Sequence, residues 1–393
     1  MTDLSPGLLR LIKGLLLFES VLYSAVTPIL PRYAHELHAS KSAIGVLAAA
    51  YAAGLVPGSL LAGWLAARVG VRRTTVAGLT AFAVATVAFG FAGSLFALDA
   101  LRALQGVSCG LIWGGALTWV IAASPRERRG ALLGAVMAAA IFGTLIGPLL
   151  GTVAVAAGTR LTFALVGAIS LALAVRVLAY PEPPAAAPST STPLAKVLRN
   201  RGLMLGAGLM VLGAATIGAG NALIPLRMSH FGASSLAIGI TFFLASGAST
   251  LIAPVSGRLS DRAGVTTPMT GGLIAGALLL VLLPLPQSAL LLAVLAVLAL
   301  GGPLTAWTIP AASLITHAAE EAGIALAVAT MVFNLAYAVG ETIGAPAAAG
   351  LAQVSSDAVP FFVLAGLMLL TLRPVLRRTR VAPAAQACEI SAA

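Results

Sequence analysis

The 393 residues are 59% hydrophobic and only 9% charged, with a mean hydropathy of +1.02. Charges make up about a quarter of a water-soluble globular domain, so that class is excluded, and the apolar runs are too long for barrel strands, which leaves an all-α membrane protein. The net charge of +11 and the two cysteines have to be explained within that class. Cys109 lies in an apolar segment and Cys388 in the C-terminal tail, so no disulfide framework is expected.

In chain order, apolar runs separated by charged or Pro/Gly-rich breaks predict twelve transmembrane helices. They fall at 8–31, 42–66, 74–94, 96–123, 130–157, 160–180, 202–226, 235–257, 266–286, 288–315, 323–352 and 358–374. No small-residue cleavage site follows a short opening segment, and the first helix is expected to remain as a signal anchor. PEPPAAAPSTSTP, 181–193, reads as a flexible proline-rich linker. The expected organisation is a six-helix bundle at 1–180, a cytoplasmic linker at 181–200, a second six-helix bundle at 201–375 and a cytoplasmic tail at 376–393.

With the N-terminus in the cytoplasm, 18 of the 23 basic residues fall at inside positions, four (Arg32, Lys41, Arg160, Arg227) outside, and Arg102 within a span. Such an excess of inside cations is the positive-inside pattern. It accounts for the net charge without nucleic acid, and an even number of spans puts both termini in the cytoplasm. Arginine outnumbers lysine and alanine is abundant, which suggests a GC-rich bacterial genome and hence a bacterial cytoplasmic (inner) membrane.

The two halves repeat each other. An offset of 194 carries Pro31 to Pro225, Ile44 to Ile238, Gly45 to Gly239, Gly63 to Gly257, Arg68 to Arg262 and Gly70 to Gly264. GTLIGP at 143–148 echoes GETIGA at 340–345 with an offset of 197. Six spans separate equivalent positions, so the repeats are parallel, an arrangement that places a site near the bilayer midplane.

The loop GWLAARVGVRR (63–73) contributes Gly63, Arg68, Gly70, Arg72 and Arg73, and GRLSDRAG (257–264) contributes Gly257, Asp261, Arg262 and Gly264. Both resemble the G-x-x-x-D-[RK]-x-G-[RK]-[RK] signature of the major facilitator superfamily, in which the acid accepts hydrogen bonds from a helix N-terminus. Ala67 stands where the first acid belongs. RALQG (Arg102, Gln105, Gly106) resembles the fourth-span element of that family, and SPRERRGALLG (124–134) its loop before the fifth span. GTLIGPLLG (Gly143, Gly147, Pro148, Gly151) resembles its fifth-span pattern, associated with twelve-helix drug:proton antiporters. Close helix packing alone also accounts for these glycines.

Within the spans the informative residues are ionisable. Glu19 lies near the middle of the first apolar segment, ahead of Pro28 and Pro31, and Glu19, Tyr23 and Thr27 recur every four residues on one helix face. An acid in hydrocarbon must be paired, hydrogen-bonded or protonated, so it is a proton-carrier candidate. Plain hydrogen bonding inside the bundle is the alternative. Glu341 shares a face with Asn334 and Tyr337 and reads equally as a second proton carrier, a substrate contact or a structural polar group. Arg102, Gln105, Cys109 and Trp113 share a face of the fourth span. The Arg102 guanidinium needs a partner, which is either Asp99 one turn outward, as a static pair, or Glu19, as a coupling device. Asn221 with Trp113, Trp119, Phe142, Trp307, Phe333 and Tyr337 are candidates to line a substrate cavity.

His35, His38, His230 and His317 fall at span ends or loops, no catalytic constellation is visible, and no G-x-x-x-x-G-K-[ST] is present. No enzyme, cofactor or metal site is expected. The resemblance implies a proton-coupled secondary transporter that exports small lipophilic or cationic compounds by alternating access, with protons, a small-molecule substrate and membrane lipids as its partners. One chain holds both halves, so a monomer is expected to suffice. The alternatives are a sugar or metabolite facilitator or symporter, and a non-transporting membrane sensor or scaffold.

Overall fold

The computed structural model describes residues 5–124, 128–182, 194–324 and 326–379, and among them every regular element is helical. The first predicted span is a broken helix. Ser5 Oγ accepts from the Leu8 N–H at 3.2 Å and Pro6 follows at the first helical position, which starts α1 (Pro6–Ala25). Pro28 has no N–H to give, and the chain passes through one 3₁₀ turn, Thr27–Ile29, before α2 (Leu30–Glu36) resumes. Then come α3 (Lys41–Val69), α4 (Val71–Phe91), α5 (Leu95–Ala123), α6 (Arg129–Ala157) and α7 (Thr159–Leu178).

A short helix, α8 (Leu194–Arg199), forms the end of the segment read as linker. Asn200 stops it and starts α9 (Arg201–His230), its Oδ1 accepting from the N–H groups of Gly202 and Leu203 at 3.0 Å. The stretch 183–193, the tail from 380 and Cys388 lie outside the described residues. α10 (Ser235–Ala263) and α11 (Thr266–Leu282) follow. The tenth predicted span is two helices, α12 (Ala289–Gly301) and α13 (Pro303–Glu321), because Gly301-Gly302-Pro303 interrupts the run. α14 (Leu326–Val354) and α15 (Ala358–Thr379) complete the described chain. Among the described residues, eleven helices or helix pairs are long and apolar enough to cross a membrane, and Thr266–Leu282, at 17 residues, is a shorter apolar helix at the ninth predicted span.

Two compact units emerge, Met1–Thr190 with Asn221–Phe243, and Ser191–Gly220 with Leu244–Ala393. In the first, α1 packs along α6, α3 along α5, and α4 against α5 and α7. In the second, α11 packs against α13 and α15, and α14 against the same two helices.

The internal repeat is built into the local chemistry of both halves of the chain. Ser40 caps α3 as Ser234 caps α10, and Ser94 caps α5 as Ser288 caps α12, each at the offset of 194. Gly70 (φ +93°) and Gly264 (φ +76°), again 194 apart, turn the chain through a left-handed conformation that a side chain would strain. On α6 a Cβ at Gly143 would overlap the Leu17 carbonyl, and one at Gly147 the Val21 carbonyl; on α14 a Cβ at Gly340 would overlap the Val211 carbonyl, and one at Gly344 that of Ala215. These matched approaches require the offsets of 194 for α1/α9 and 197 for α6/α14.

Candidate functional site

The polar centre of the first unit is built on a close helix pair. α3 presents Gly54 and Gly58, and α5 presents Gly106 and Gly110. A Cβ at Gly54 would run into the Ala103 carbonyl, and one at Gly106 into the Tyr51 carbonyl. Small residues four apart let the two backbones meet, and this contact fixes the height of Tyr51 beside α5. On the other side of α1, Gly143, Gly147 and Gly151 of α6 rest on the backbone of Leu17, Val21 and Ala25. Pro148, also on α6, is buried within the same helix.

Glu19 is only 3% exposed in this frame. One carboxyl oxygen, Oε1, accepts from the Tyr51 hydroxyl, and Oε2 accepts from the Trp113 indole N–H at 2.7 Å. The side chains of Cys109 and Ser20 also reach the carboxyl. Arg102 is buried beside it. Its guanidinium lies 4.4 Å from the centroid of the Tyr51 ring, donates to the Tyr23 carbonyl at 2.6 Å, and donates to Gln105 Oε1 at 3.0 Å. Gln105 in turn donates to Thr86 Oγ1 at 3.2 Å. The Tyr23 ring sits 5.3 Å from that of Tyr51. A continuous polar chain therefore runs from Thr86 through Gln105, Arg102 and Tyr51 to Glu19 and Trp113, shared among α1, α3, α4 and α5.

The structure thus brings together Glu19, Tyr23, Arg102, Gln105 and Trp113, while Thr27 is buried in the 3₁₀ turn at the kink. Asp99 forms no ion pair with Arg102 among the described residues. One of its oxygens, Oδ1, is shielded from solvent without a hydrogen-bond partner among those residues. Phe142 is exposed on α6. Asn221 is half-buried on α9. Along α14 the predicted face runs from exposed Asn334 through half-buried Tyr337 to buried Glu341. Trp119 and Trp307 belong to the packed interior of their units, at 2% and 0% exposure.

The loop residues separate into two groups. Gly63 is open and Arg68 is exposed, its guanidinium 4.1 Å above the Trp64 ring. Arg73 is exposed. Arg72 is held. Its N–H donates to Glu182 Oε1 at 3.0 Å, its side chain donates to the Tyr180 carbonyl at 3.0 Å, and Nε lies 3.7 Å from Glu182 Oε2. A carboxylate from the segment after α7 thus sits at the N-terminus of α4, in the loop where Ala67 replaces the acid. In the second unit Gly257 and exposed Arg262 precede the turn at Gly264, and the Asp261 side chain lies outside the described residues.

Several residues of this geometry, among them Ser20, Thr86, Tyr51 and Glu182, were not read from the sequence. Tyr51 carries the only polar side chain of the stretch 43–58, a signal that was available. Glu182 lies between prolines in the linker and gives no periodic signal at all.

The family model for the Major Facilitator Superfamily matches residues 15–341. A curated relative from Escherichia coli K12, named "Uncharacterized MFS-type transporter YcaD", is 27% identical over 271 residues, covering 67% of this chain and 69% of the relative. Among solved structures, a bacterial homologue of the human lysosomal transporter Spinster, inward-facing and occupied, superposes with a TM-score of 0.76 at 14% identity, covering 95% of this chain and 96% of the other. The nucleoside transporter NupG gives 0.76 at 13% identity over 94% and 98%. A POT family transporter in complex with a thioalcohol-conjugated peptide gives 0.76 at 16% identity over 95% and 96%.

Proposed function

The chain belongs to the Major Facilitator Superfamily and is a multi-pass secondary transporter of a small molecule, not an enzyme; from that premise we propose that it exchanges protons for small lipophilic or cationic compounds and exports them. The observation that carries the proposal is the state of Glu19. It is buried in a helix of membrane-spanning length, and both of its oxygens are held by neutral donors. No cation forms a direct ion pair with it among the described residues. A carboxyl in that setting is able to carry a proton and release it, whereas a fixed ion pair would hold it charged.

The GTLIGPLLG stretch supports the antiport direction. Its glycines lie directly against α1 at Leu17, Val21 and Ala25, so any tilt of α6 moves the helix that carries Glu19. Tyr23, Tyr51 and Trp113 around one acid suit an organic cation, which aromatic faces and a carboxylate both attract. Glu341 is the second proton-site candidate, Asp99 a candidate entry point for external protons, and Phe142, Asn221, Asn334 and Tyr337 substrate contacts. The transporter would act as a monomer in a bacterial inner membrane with both termini, the linker and the tail in the cytoplasm. A proton moving down a membrane potential supplies about 2.3 kcal/mol per 100 mV.

Proteoliposomes with an internal pH-sensitive dye test this reading. Ethidium and tetraphenylphosphonium serve as probes. Antiport predicts that adding a probe on one side drives protons out of the opposite compartment, and that Glu19→Gln removes the response while the protein still elutes as a folded species. Proton entry together with the solute would instead establish the symporter reading, which the exposed amide of Asn334 favours. A Glu19→Gln response equal to wild type would remove Glu19 from the mechanism.

A further inference from the structure

We propose that Tyr51 is the positioning residue through which the protonation state of Glu19 reaches Arg102. The proposal rests on the proton-site reading of Glu19 and adds a residue and a route to it. The two donors on the Glu19 carboxyl differ in kind. The Trp113 indole N–H only donates, and it meets a lone pair whether Glu19 is charged or neutral. The Tyr51 hydroxyl both donates and accepts. When a proton from water arrives on Glu19 Oε1, the phenol has to rotate its hydrogen away and accept. Tyr51 keeps its own O–H bond throughout, so only the orientation of that bond and of the ring changes.

The ring makes contacts of its own. Its face carries the Arg102 guanidinium at 4.4 Å, and the Tyr23 ring lies 5.3 Å away, tilted by 52°. Arg102 also donates to the Tyr23 carbonyl on α1 and to Gln105 on α5. A reorientation at the Tyr51 hydroxyl therefore reaches a cation that ties α1 to α5. The groups facing Glu19 are few. They are Tyr23 on α1 itself, Tyr51 on α3, and Arg102 and Cys109 on α5, while α6 carries no titratable side chain after its first residue, Arg129.

Packing does not explain the tyrosine. In the second unit Ala245 stands 194 residues on, and a Cβ at Gly301 would overlap its carbonyl just as one at Gly106 would overlap that of Tyr51. The same helix contact is made there with a methyl group.

The test uses the purified full chain in nanodiscs and reads tryptophan emission against pH, with Trp113→Phe defining the contribution of Trp113. Wild type is expected to titrate and Glu19→Gln to be flat. Tyr51→Phe keeps the ring and removes the hydroxyl, and its midpoint is expected to move by about one pH unit, the size of one lost hydrogen bond to a charged group. Adding Tyr51→Phe to Glu19→Gln is expected to change nothing further. The infrared band of the protonated Glu19 carboxyl should shift in Tyr51→Phe as well. If Tyr51→Phe yields no folded protein, Arg102→Lys carries the test, because it leaves the phenol and removes the planar cation from its face; its midpoint must also move. An unmoved midpoint beside a flat Glu19→Gln overturns the role of Tyr51 alone. A pH response that survives in Glu19→Gln overturns the proton-site reading and this proposal with it.

Discussion

Glu19 and Gly213 occupy the same place in two copies of one helix arrangement, and nearly everything around them has been exchanged. In the first unit Glu19 meets Trp113, Tyr51 and, through Tyr51, Arg102. In the second, a Cβ on Gly213 would lie 2.7 Å from Thr308 and 3.2 Å from Trp307. The matching approach of Gly78 to Ile112 and of Gly272 to Trp307 sets an offset of 195 between α5 and α13. Thr308 then answers to Trp113 and Ala245 to Tyr51, while α12, which stands where α5 carries Arg102 and Gln105, has no polar side chain along its length. Trp307 fills the interior, and its indole N–H is buried without a hydrogen-bond partner among the described residues. The repeated small-residue contacts make the scaffold; the ionisable chemistry has been laid on one copy of it. Glu341, the buried acid among the described residues of the second unit, answers to Thr144 and so stands on another helix of its repeat.

That comparison breaks most visibly at the shared scaffold. Gly106→Leu and Gly301→Leu each push a side chain into a facing backbone carbonyl that cannot move aside. Overpacking costs about 1–3 kcal/mol where side chains can yield, and more is expected here. Both variants should give little folded protein by size-exclusion chromatography, to a similar degree. Loss in one unit only would mean that the two copies do not share their packing.

Next in size is the chemistry that distinguishes the copies. Glu19→Gln is expected to lower probe-driven proton movement by about 100-fold or more, the scale on which a positioned proton carrier acts. Gly213→Ala, at the matching place, should stay within about twofold, since its nearest obstacle is a side-chain methyl of Thr308. Glu341→Gln should fall between the two. Equal losses in Glu19→Gln and Glu341→Gln would make the chemistry as symmetric as the scaffold. A smaller effect is expected from Trp113→Phe, which keeps the ring and removes one donor from Glu19. One such bond to a charged group is worth about 1.5–3 kcal/mol, so at the lower end of that range proton movement should drop about tenfold, while Thr308→Val in the other unit leaves it unchanged.

How far this asymmetry was legible depended on where each signal lay. The helices read well because twenty apolar residues in a row have few other uses, and even the capping serines and left-handed glycines recur at the repeat offset. The break at Gly301-Gly302-Pro303 was missed because both flanks are equally apolar and hydropathy runs straight through it. Glu19, Arg102 and Trp113 stand out in the sequence because an ionisable or indole group in hydrocarbon demands a partner and helical spacing says which face it takes. Which partner it finds depends on the heights at which helices meet, and those follow from contacts such as Gly106 on Tyr51. This is why the Asp99–Arg102 pairing, one turn apart in sequence, gave way to partners on α1 and α3. The exposure of Phe142 and Asn334 follows from helix rotation within the bundle, which local sequence leaves undetermined.

The loops offer the smallest and sharpest contrast. The second unit keeps its acid, Asp261, whereas the first has Ala67 and receives Glu182 instead. That carboxylate accepts from the backbone N–H of Arg72 in the first turn of α4 and lies 3.7 Å from its Nε. A negative charge there is favoured by the unpaired N–H groups and dipole of the helix end. Glu182 is about a third exposed, at 35%, so solvent screens much of the attraction, and the pair is worth about 0.5 kcal/mol by the standard of exposed ion pairs. Glu182→Gln keeps an oxygen to accept the hydrogen bond and removes only the charge. Its unfolding temperature should drop slightly in dilute buffer and rejoin wild type near 1 M salt, where the screening length is about 3 Å. A deficit that persists in salt would mean that Glu182 acts through the geometry of its hydrogen bond and not through charge, and the linker carboxylate would then be no substitute for the acid absent at position 67.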